Sequence, residues 1–181
     1  MQFTGGGTAL VLGGARSGKS TWAEAQFAGV ADVEYVATSE LRDGDTEWAH
    51  RVALHRERRP GTWRTTETLD IASVIGADDE APVLVDCVAV WFDRVLFEAG
   101  AWDDAPGWRD TVAARTVSLV EAVRTTRRTV ILVSNEVGLG VVPATASGRL
   151  YRDELGRLNA SLATAVDEVW FCVAGIAKRW A

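Results

Sequence analysis

A chain of 181 residues, 48% of them hydrophobic, has enough length and apolar content for one sizeable core, so a single domain over 1–181 is expected. The formal net charge of −6 excludes the basic footprint of a general nucleic-acid binder or anionic-membrane binder, so any polyphosphate must be met by local positive charge. The only two cysteines, Cys87 and Cys172, lie inside apolar runs, which fits buried thiols in a reducing compartment and offers no zinc-ligand spacing.

No apolar run approaches the about 18 residues of a membrane span, and the N-terminus lacks the basic-then-apolar pattern of a secretory signal. A soluble, cytoplasmic protein is expected. Gly5-Gly6-Gly7 reads as a flexible leader.

The first apolar run, Ala9 to Leu12, leads straight into Gly13-Gly14-Ala15-Arg16-Ser17-Gly18-Lys19-Ser20 and then into a helical pattern over Lys19 to Ala28. Strand, glycine-rich turn and helix in this order are the context of a phosphate-cradling P-loop. Successive backbone N–H groups must converge on phosphate oxygens, so side chains are excluded at the tight positions, which Gly13, Gly14 and Gly18 occupy. Lys19 would reach the β- and γ-phosphates, Ser20 would offer its hydroxyl to Mg2+, and the start of the helix would turn its positive dipole end to the anion. A plain strand-to-helix turn is the bland alternative.

A second strand is predicted over Val33 to Ala37, followed by a helix over Thr46 to Arg58 that Pro60 limits. The stretch from Trp48 to Pro60 holds both histidines of the chain, and four of its 13 residues are arginines, the best polyphosphate-facing surface in an acidic protein. On a helix Arg51, His55 and Arg58 share a face, where guanidinium neighbours disfavour imidazolium and keep the ring nucleophilic. Trp48, Val52 and His55 also form an apolar stripe, so spacing alone leaves His55 and His50 open between catalysis and core-edge packing.

Helix Leu69 to Ile75, an exposed loop at Asp78-Asp79-Glu80, and strand Val83 to Cys87 come next. Asp86 ends that strand, where P-loop proteins place the carboxylate that holds or orients Mg2+; capping of the following helix is its other reading. Helix Trp91 to Glu98, a loop over Asp103 to Gly107, helix Trp108 to Thr125, strand Val130 to Val133, helix Gly148 to Thr164 and strand Val169 to Val173 complete the order. Near-continuous apolar strands alternating with helices require an α/β, mostly parallel sheet with helices on both faces, a P-loop NTPase (RecA-like) architecture with ligands at the strand C-terminal edge.

At that edge, Asn135 and Glu136 open a glycine-punctuated loop ending at Pro143, either to contact substrate or to order the loop itself. Arg149, Arg152 and Asp153 begin the next helix as site residues or as a solvated face. Of eight tryptophans, Trp22, Trp48, Trp63 and Trp91 fall near the expected site, where ring stacking and ordinary packing both fit.

Taken together, the motifs resemble the bifunctional adenosylcobinamide kinase / adenosylcobinamide-phosphate guanylyltransferase family almost end to end. The likeness rests on residues 13–20, Tyr35-Val36-Ala37-Thr38-Ser39, His55-Arg56-x-x-Arg59-Pro60-x-x-Trp63-Arg64-Thr65-x-Glu67 and Val85-Asp86-Cys87. It continues through Ser134-Asn135-Glu136-Val137-Gly138-x-Gly140-x-Val142-Pro143, Arg152-Asp153-x-x-Gly156-x-x-Asn159 and Val173-Ala174-Gly175-Ile176. The chain departs from the family pattern at Ala89, Arg94 and Ala160, away from the nucleotide motifs.

The resemblance implies two reactions: phosphorylation of adenosylcobinamide by ATP or GTP, then transfer of GMP from GTP through a GMP–histidine intermediate to adenosylcobinamide phosphate. It assigns the nucleophile to His55 and not His50. It further implies guanine-nucleotide contacts from the P-loop, Ala37, Thr38, Ser39, Arg56, Glu57, Arg58, Arg59, Glu67 and Asp86, Mg2+ held by Ser20 and Asp86, and assembly as a homotrimer. Two other readings share the P-loop: a kinase of another small alcohol without a covalent intermediate, and a nucleotide-switched regulatory module.

Overall fold

The computed structural model describes residue 3, residues 6–38 and residues 59–181. The predicted helix Thr46 to Arg58, with His50, His55, Arg56, Glu57 and Arg58, lies outside the described residues, as does Ser39.

The strands are β1 (Thr8–Gly13), β2 (Glu34–Ala37), β3 (Arg64–Glu67), β4 (Val83–Asp86), β5 (Val130–Asn135), β6 (Glu168–Val173) and β7 (Ile176–Arg179). The helices are α1 (Lys19–Gln26), α2 (Ile71–Ile75), α3 (Val88–Glu98), α4 (Trp108–Thr125) and α5 (Ala146–Ala163), with a 3-10 turn at Ala101–Asp103. Among the described residues the strands form one sheet in the order β3-β2-β4-β5-β1-β6-β7. Every neighbouring pair is parallel except β6 with β7.

Alternate strand residues serve two cores, which is why the strands read as unbroken apolar runs. Leu10, Val36, Val83, Val85, Val130 and Leu132 pack under α2, α3, α4 and α5. Ala9, Val11, Tyr35, Leu84, Ile131 and Val133 pack on the other face with Ala23 and Phe27, which places α1 opposite the other helices. The expected doubly covered parallel sheet is what the chain forms.

Two strands escaped the sequence reading for different reasons. β3 is Arg-Thr-Thr-Glu, an edge strand covered on neither face, so it carries no apolar signal. β7 follows β6 through a tight turn in which Ala174 (φ 51°) and Gly175 (φ 80°) both adopt left-handed conformations, the requirement of a two-residue hairpin. The helix expected from Trp91 begins three residues earlier, at Val88, directly after Cys87. Caps fix two other starts: Asp70 accepts from Ser73 N, and Thr145 Oγ1 accepts from Gly148 N.

Of the tryptophans expected near the site, Trp22, Trp63 and Trp91 serve packing, and Trp48 lies outside the described residues. Trp22 lies against Trp170 with ring centroids 4.6 Å apart, Trp63 meets Phe27 edge-on and donates to Val30 O, and Trp91 donates to Leu69 O at 2.7 Å. Among the described residues, no helix is long and apolar enough to cross a membrane.

Candidate nucleotide site

The parallel registers bring the C-terminal ends of six strands to one edge: Gly13 pairs with Asn135 and Cys172, Ala37 with both Glu67 and Asp86. Between β1 and α1 the chain turns through residues 14–18, crowded at Gly13 and Gly18 but not at Gly14, where contrary to expectation a Cβ would meet nothing within 4 Å. A Cβ on Gly13 would lie 2.5 Å from Ser17 Oγ and 2.6 Å from Cys172 O, and Gly18 has φ +91°. Gly14, Ala15 and Arg16 form the exposed lip, with Arg16 itself at φ 57°.

Ser17 N donates to Gly14 O, and Gly175 N donates to Ser17 O at 2.8 Å, so the β6–β7 turn buttresses the loop from behind. Ser17 Oγ is buried and has no hydrogen-bond partner among the described residues. An orphan hydroxyl of this kind is costly unless something polar satisfies it. Gly18 gives α1 no side-chain cap, which leaves its first N–H groups available to an anion. Lys19 is buried and folds back over the loop, its Nζ donating to Gly14 O at 3.2 Å.

Opposite the loop, the Asp86 carboxylate is met by two hydroxyls. Ser20 Oγ donates to Oδ1 at 3.3 Å and Tyr35 Oη to Oδ2 at 3.1 Å. Serine hydroxyl and carboxylate are hard oxygen donors, the set that Mg2+ accepts. Burial raises the pKa of the Tyr35 hydroxyl, and the Asp86 charge adds to the effect, so the phenol stays a donor. The Arg59 guanidinium lies over the Tyr35 ring, 3.6 Å from its centroid.

Below this group, Thr38 Oγ1 donates to Cys87 O at 2.8 Å and accepts from Cys87 N, tying the end of β2 to the start of α3 across a cis Asp86–Cys87 peptide. Burial, with Asp86 adding to it, pushes the Cys87 thiol up to about 12. Burial also raises the pKa of Cys172, which is buried, whereas Cys87 as a residue is partly exposed.

Of the residues expected at the site, the P-loop, Ala37, Thr38, Arg59 and Asp86 come together, and Glu67 stands exposed at the end of edge strand β3 beside Ala37. Glu136 turns onto its own loop, its Oε1 accepting from Gly138 N. Arg152 donates to Gly138 O and Gly140 O, and Arg149 to Pro143 O and Ala144 O, so these side chains clasp the loop after β5. Tyr35 and Gly175 stand in the sequence only as members of the resemblance motifs, with no role assigned to either; for Tyr35 a further signal was a polar-tipped aromatic within the apolar run Val33 to Ala37.

Phosphate loop, helix start and a carboxylate at the end of a parallel strand on the same edge define a nucleotide-binding domain of the P-loop NTPase type. A solved ATPase of a bacterial type III secretion system has the same fold at 15% identity and a TM-score of 0.55, covering 91% of this chain and 50% of its own. More specifically, residues 9–179 match the family described as cobinamide kinase / cobinamide phosphate guanyltransferase, and the chain belongs to that family. It is 39% identical over 178 residues to the bifunctional adenosylcobalamin biosynthesis protein CobU of Salmonella typhimurium, spanning 94% of this chain and 97% of the relative. It is 42% identical over 172 residues to the corresponding CobP of Pseudomonas aeruginosa, spanning 92% and 93%.

Proposed function

We propose that this protein phosphorylates adenosylcobinamide with ATP or GTP and then transfers GMP from GTP, through a histidine-bound intermediate at His55, to give adenosylcobinamide-GDP. The observation that carries the reading is the Ser20–Asp86 hydrogen bond at the start of α1, directly after the loop over which Lys19 folds, within a chain that belongs to this family over residues 9–179.

In the first reaction the substrate's alcohol oxygen bonds to the γ-phosphorus, the bridging P–O bond breaks, and the nucleoside diphosphate leaves. In the second, an imidazole nitrogen of His55 bonds to the α-phosphorus and pyrophosphate leaves; the cobinamide phosphate then displaces the imidazole, breaking the P–N bond. Splitting one displacement in two suits imidazole, a good nucleophile and a good leaving group. Lys19 and the helix N-terminus offset charge on the phosphates, and Arg59 adds a cation beside them. Mg2+, held by Ser20 and Asp86, would supply charge neutralisation at the phosphate oxygens. Family likeness also supports guanine-nucleotide contacts from Ala37, Thr38, Ser39, Arg56, Glu57, Arg58 and Glu67, a homotrimer, and a cytoplasmic location.

The test is incubation with GTP labelled at the α-phosphate, then denaturation and treatment with acid or base. An acid-labile, base-stable adduct is expected that is absent from His55→Ala and present in His50→Ala. An unlabelled wild-type protein that still phosphorylates an alcohol would leave a kinase without a covalent intermediate.

A further inference from the structure

Tyr35 occupies a place where an aliphatic residue or a phenylalanine would serve the core equally well. It is 4% exposed and packs with Ala9, Val11, Ala23 and Phe27 on the α1 side of the sheet. What the hydroxyl adds is the 3.1 Å bond to Asp86 Oδ2; what the aromatic face adds is a seat for Arg59 at 3.6 Å. A guanidinium over a ring is held by the negative π face, more firmly the less water lies between them.

We infer that Tyr35 is a positioning residue for two charged groups of the site: its hydroxyl aims the Asp86 carboxylate toward the metal, and its ring carries the Arg59 guanidinium that meets the phosphates. The inference rests on the reading of Ser20 and Asp86 as the metal-holding pair. A carboxylate on a short side chain turns freely unless its second oxygen is engaged. With Oδ2 occupied by Tyr35, Oδ1 is left facing Ser20 Oγ, so the donor pair is ordered by folding and not by the arriving cation. Arg59 is the last arginine of the basic stretch, and its seat on the ring puts that charge one side chain from the carboxylate.

The experiment measures binding of a fluorescent GTP analogue as Mg2+ is titrated, for wild type, Tyr35→Phe, Tyr35→Leu and Asp86→Asn, with thermal melts alongside. Tyr35→Phe keeps the ring and is expected to raise the Mg2+ concentration for half-maximal enhancement about tenfold, the usual consequence of losing a partner that orients a metal ligand. Saturating Mg2+ should restore its affinity, and affinity for the metal-free analogue should stay within about twofold of wild type because Arg59 keeps its seat. Tyr35→Leu should in addition weaken binding of the metal-free analogue about fivefold.

A wild-type Mg2+ requirement in Tyr35→Phe, with enhancement abolished in Asp86→Asn, would overturn the hydroxyl's role while the metal pair stood. Equal metal-free affinities in the Leu and Phe variants would overturn the ring's role. Full Mg2+ enhancement in Asp86→Asn would instead bring down the metal-pair reading itself.

Discussion

Gly175 in the β6–β7 turn stands where a side chain on Gly18 would begin: a Cβ built on Gly18 lies 2.9 Å from Gly175 Cα. The contact is backbone against backbone, so no side chain can swing away to relieve it. Gly18→Ala combines that clash with a left-handed conformation at φ +91°, whereas a Cβ on Gly175, at φ +80°, meets nothing within 4 Å. Gly175→Ala is therefore expected to cost only the conformational strain, about 1–2 kcal/mol of stability, with GTP affinity nearly unchanged. Gly18→Ala should cost more than that and weaken GTP binding by about tenfold or more, because the loop must move to relieve the contact. Urea denaturation and GTP titration of both variants check the ordering, and equal losses would refute the buttress.

At the opposite edge of the sheet, Arg128 is 4% exposed and satisfies three elements at once. It donates to Glu34 Oε2 at 2.7 Å, to Ala81 O at 2.8 Å and to Val74 O at 2.7 Å, while Glu34 Oε1 accepts from Thr66 Oγ1. Arg128→Met leaves a buried carboxylate without its cation and should destabilise the fold by about 3–5 kcal/mol. Adding Glu34→Met should recover part of that loss, because the uncompensated charge goes with it. A calorimetric double-mutant cycle checks the coupling; strictly additive losses would show that the pair is energetically independent.

How far the chain could be read from its residues follows from which signals are local. β1, β2, β4 and β5 were legible because both faces of each are covered, so every residue tends to be apolar, and the P-loop was legible because its glycines, lysine and serine stand at fixed spacing within eight residues, although the atoms that crowd Gly13 and Gly18 include Cys172 O and Gly175 far along the chain. β3 was not, since an edge strand such as Arg64 to Glu67 owes its pairing to β2 and not to its own composition. Asp86 ends β4 as the apolar run implied, but the sequence does not show Tyr35 as its hydrogen-bond partner. That bond joins residues 51 positions apart and depends on β2 lying beside β4, which the order of elements alone does not fix. Likewise the sequence left Arg149 and Arg152 open between site residues and a solvated helical face, and only the fold shows the carbonyls they clasp.

Cys87 gives a pH dependence whose sign can be worked out. Burial and the Asp86 charge raise its pKa to about 12, whereas in the unfolded chain a thiol ionises near its ordinary value of about 8.5. Above that value the unfolded state loses the proton first, so the native state holds more protons and stability falls as pH rises. The contribution is complete below about pH 8.5 and is lost progressively toward about pH 12. Wild type should therefore lose stability faster than Cys87→Ala between about pH 9 and 11, and native Cys87 should react with iodoacetamide far more slowly than a free thiol at pH 8. Parallel stability profiles for the two proteins, or rapid alkylation, would contradict this.

Asn159 joins α5 to the nucleotide edge through two bonds that a single substitution removes. Its Oδ1 accepts from Ser134 Oγ at 2.8 Å and its Nδ2 donates to Asn135 O at 3.0 Å, with Ser134 fully buried and Asn135 in register with Gly13. Asn159→Leu strands a buried hydroxyl and deprives a carbonyl of its donor; at about 1–3 kcal/mol for each of the two unsatisfied groups, a loss of about 2–6 kcal/mol is expected. The hydroxyl's share is separable, because Ser134→Ala added to Asn159→Leu deletes the orphan and should restore about 1 kcal/mol or more, although Ser134→Ala alone destabilises. Chemical denaturation of the four proteins measures that reversal of sign. If Ser134→Ala destabilises both backgrounds equally, the hydroxyl has found another partner and Asn159 is not what holds the end of β5 beside the phosphate loop.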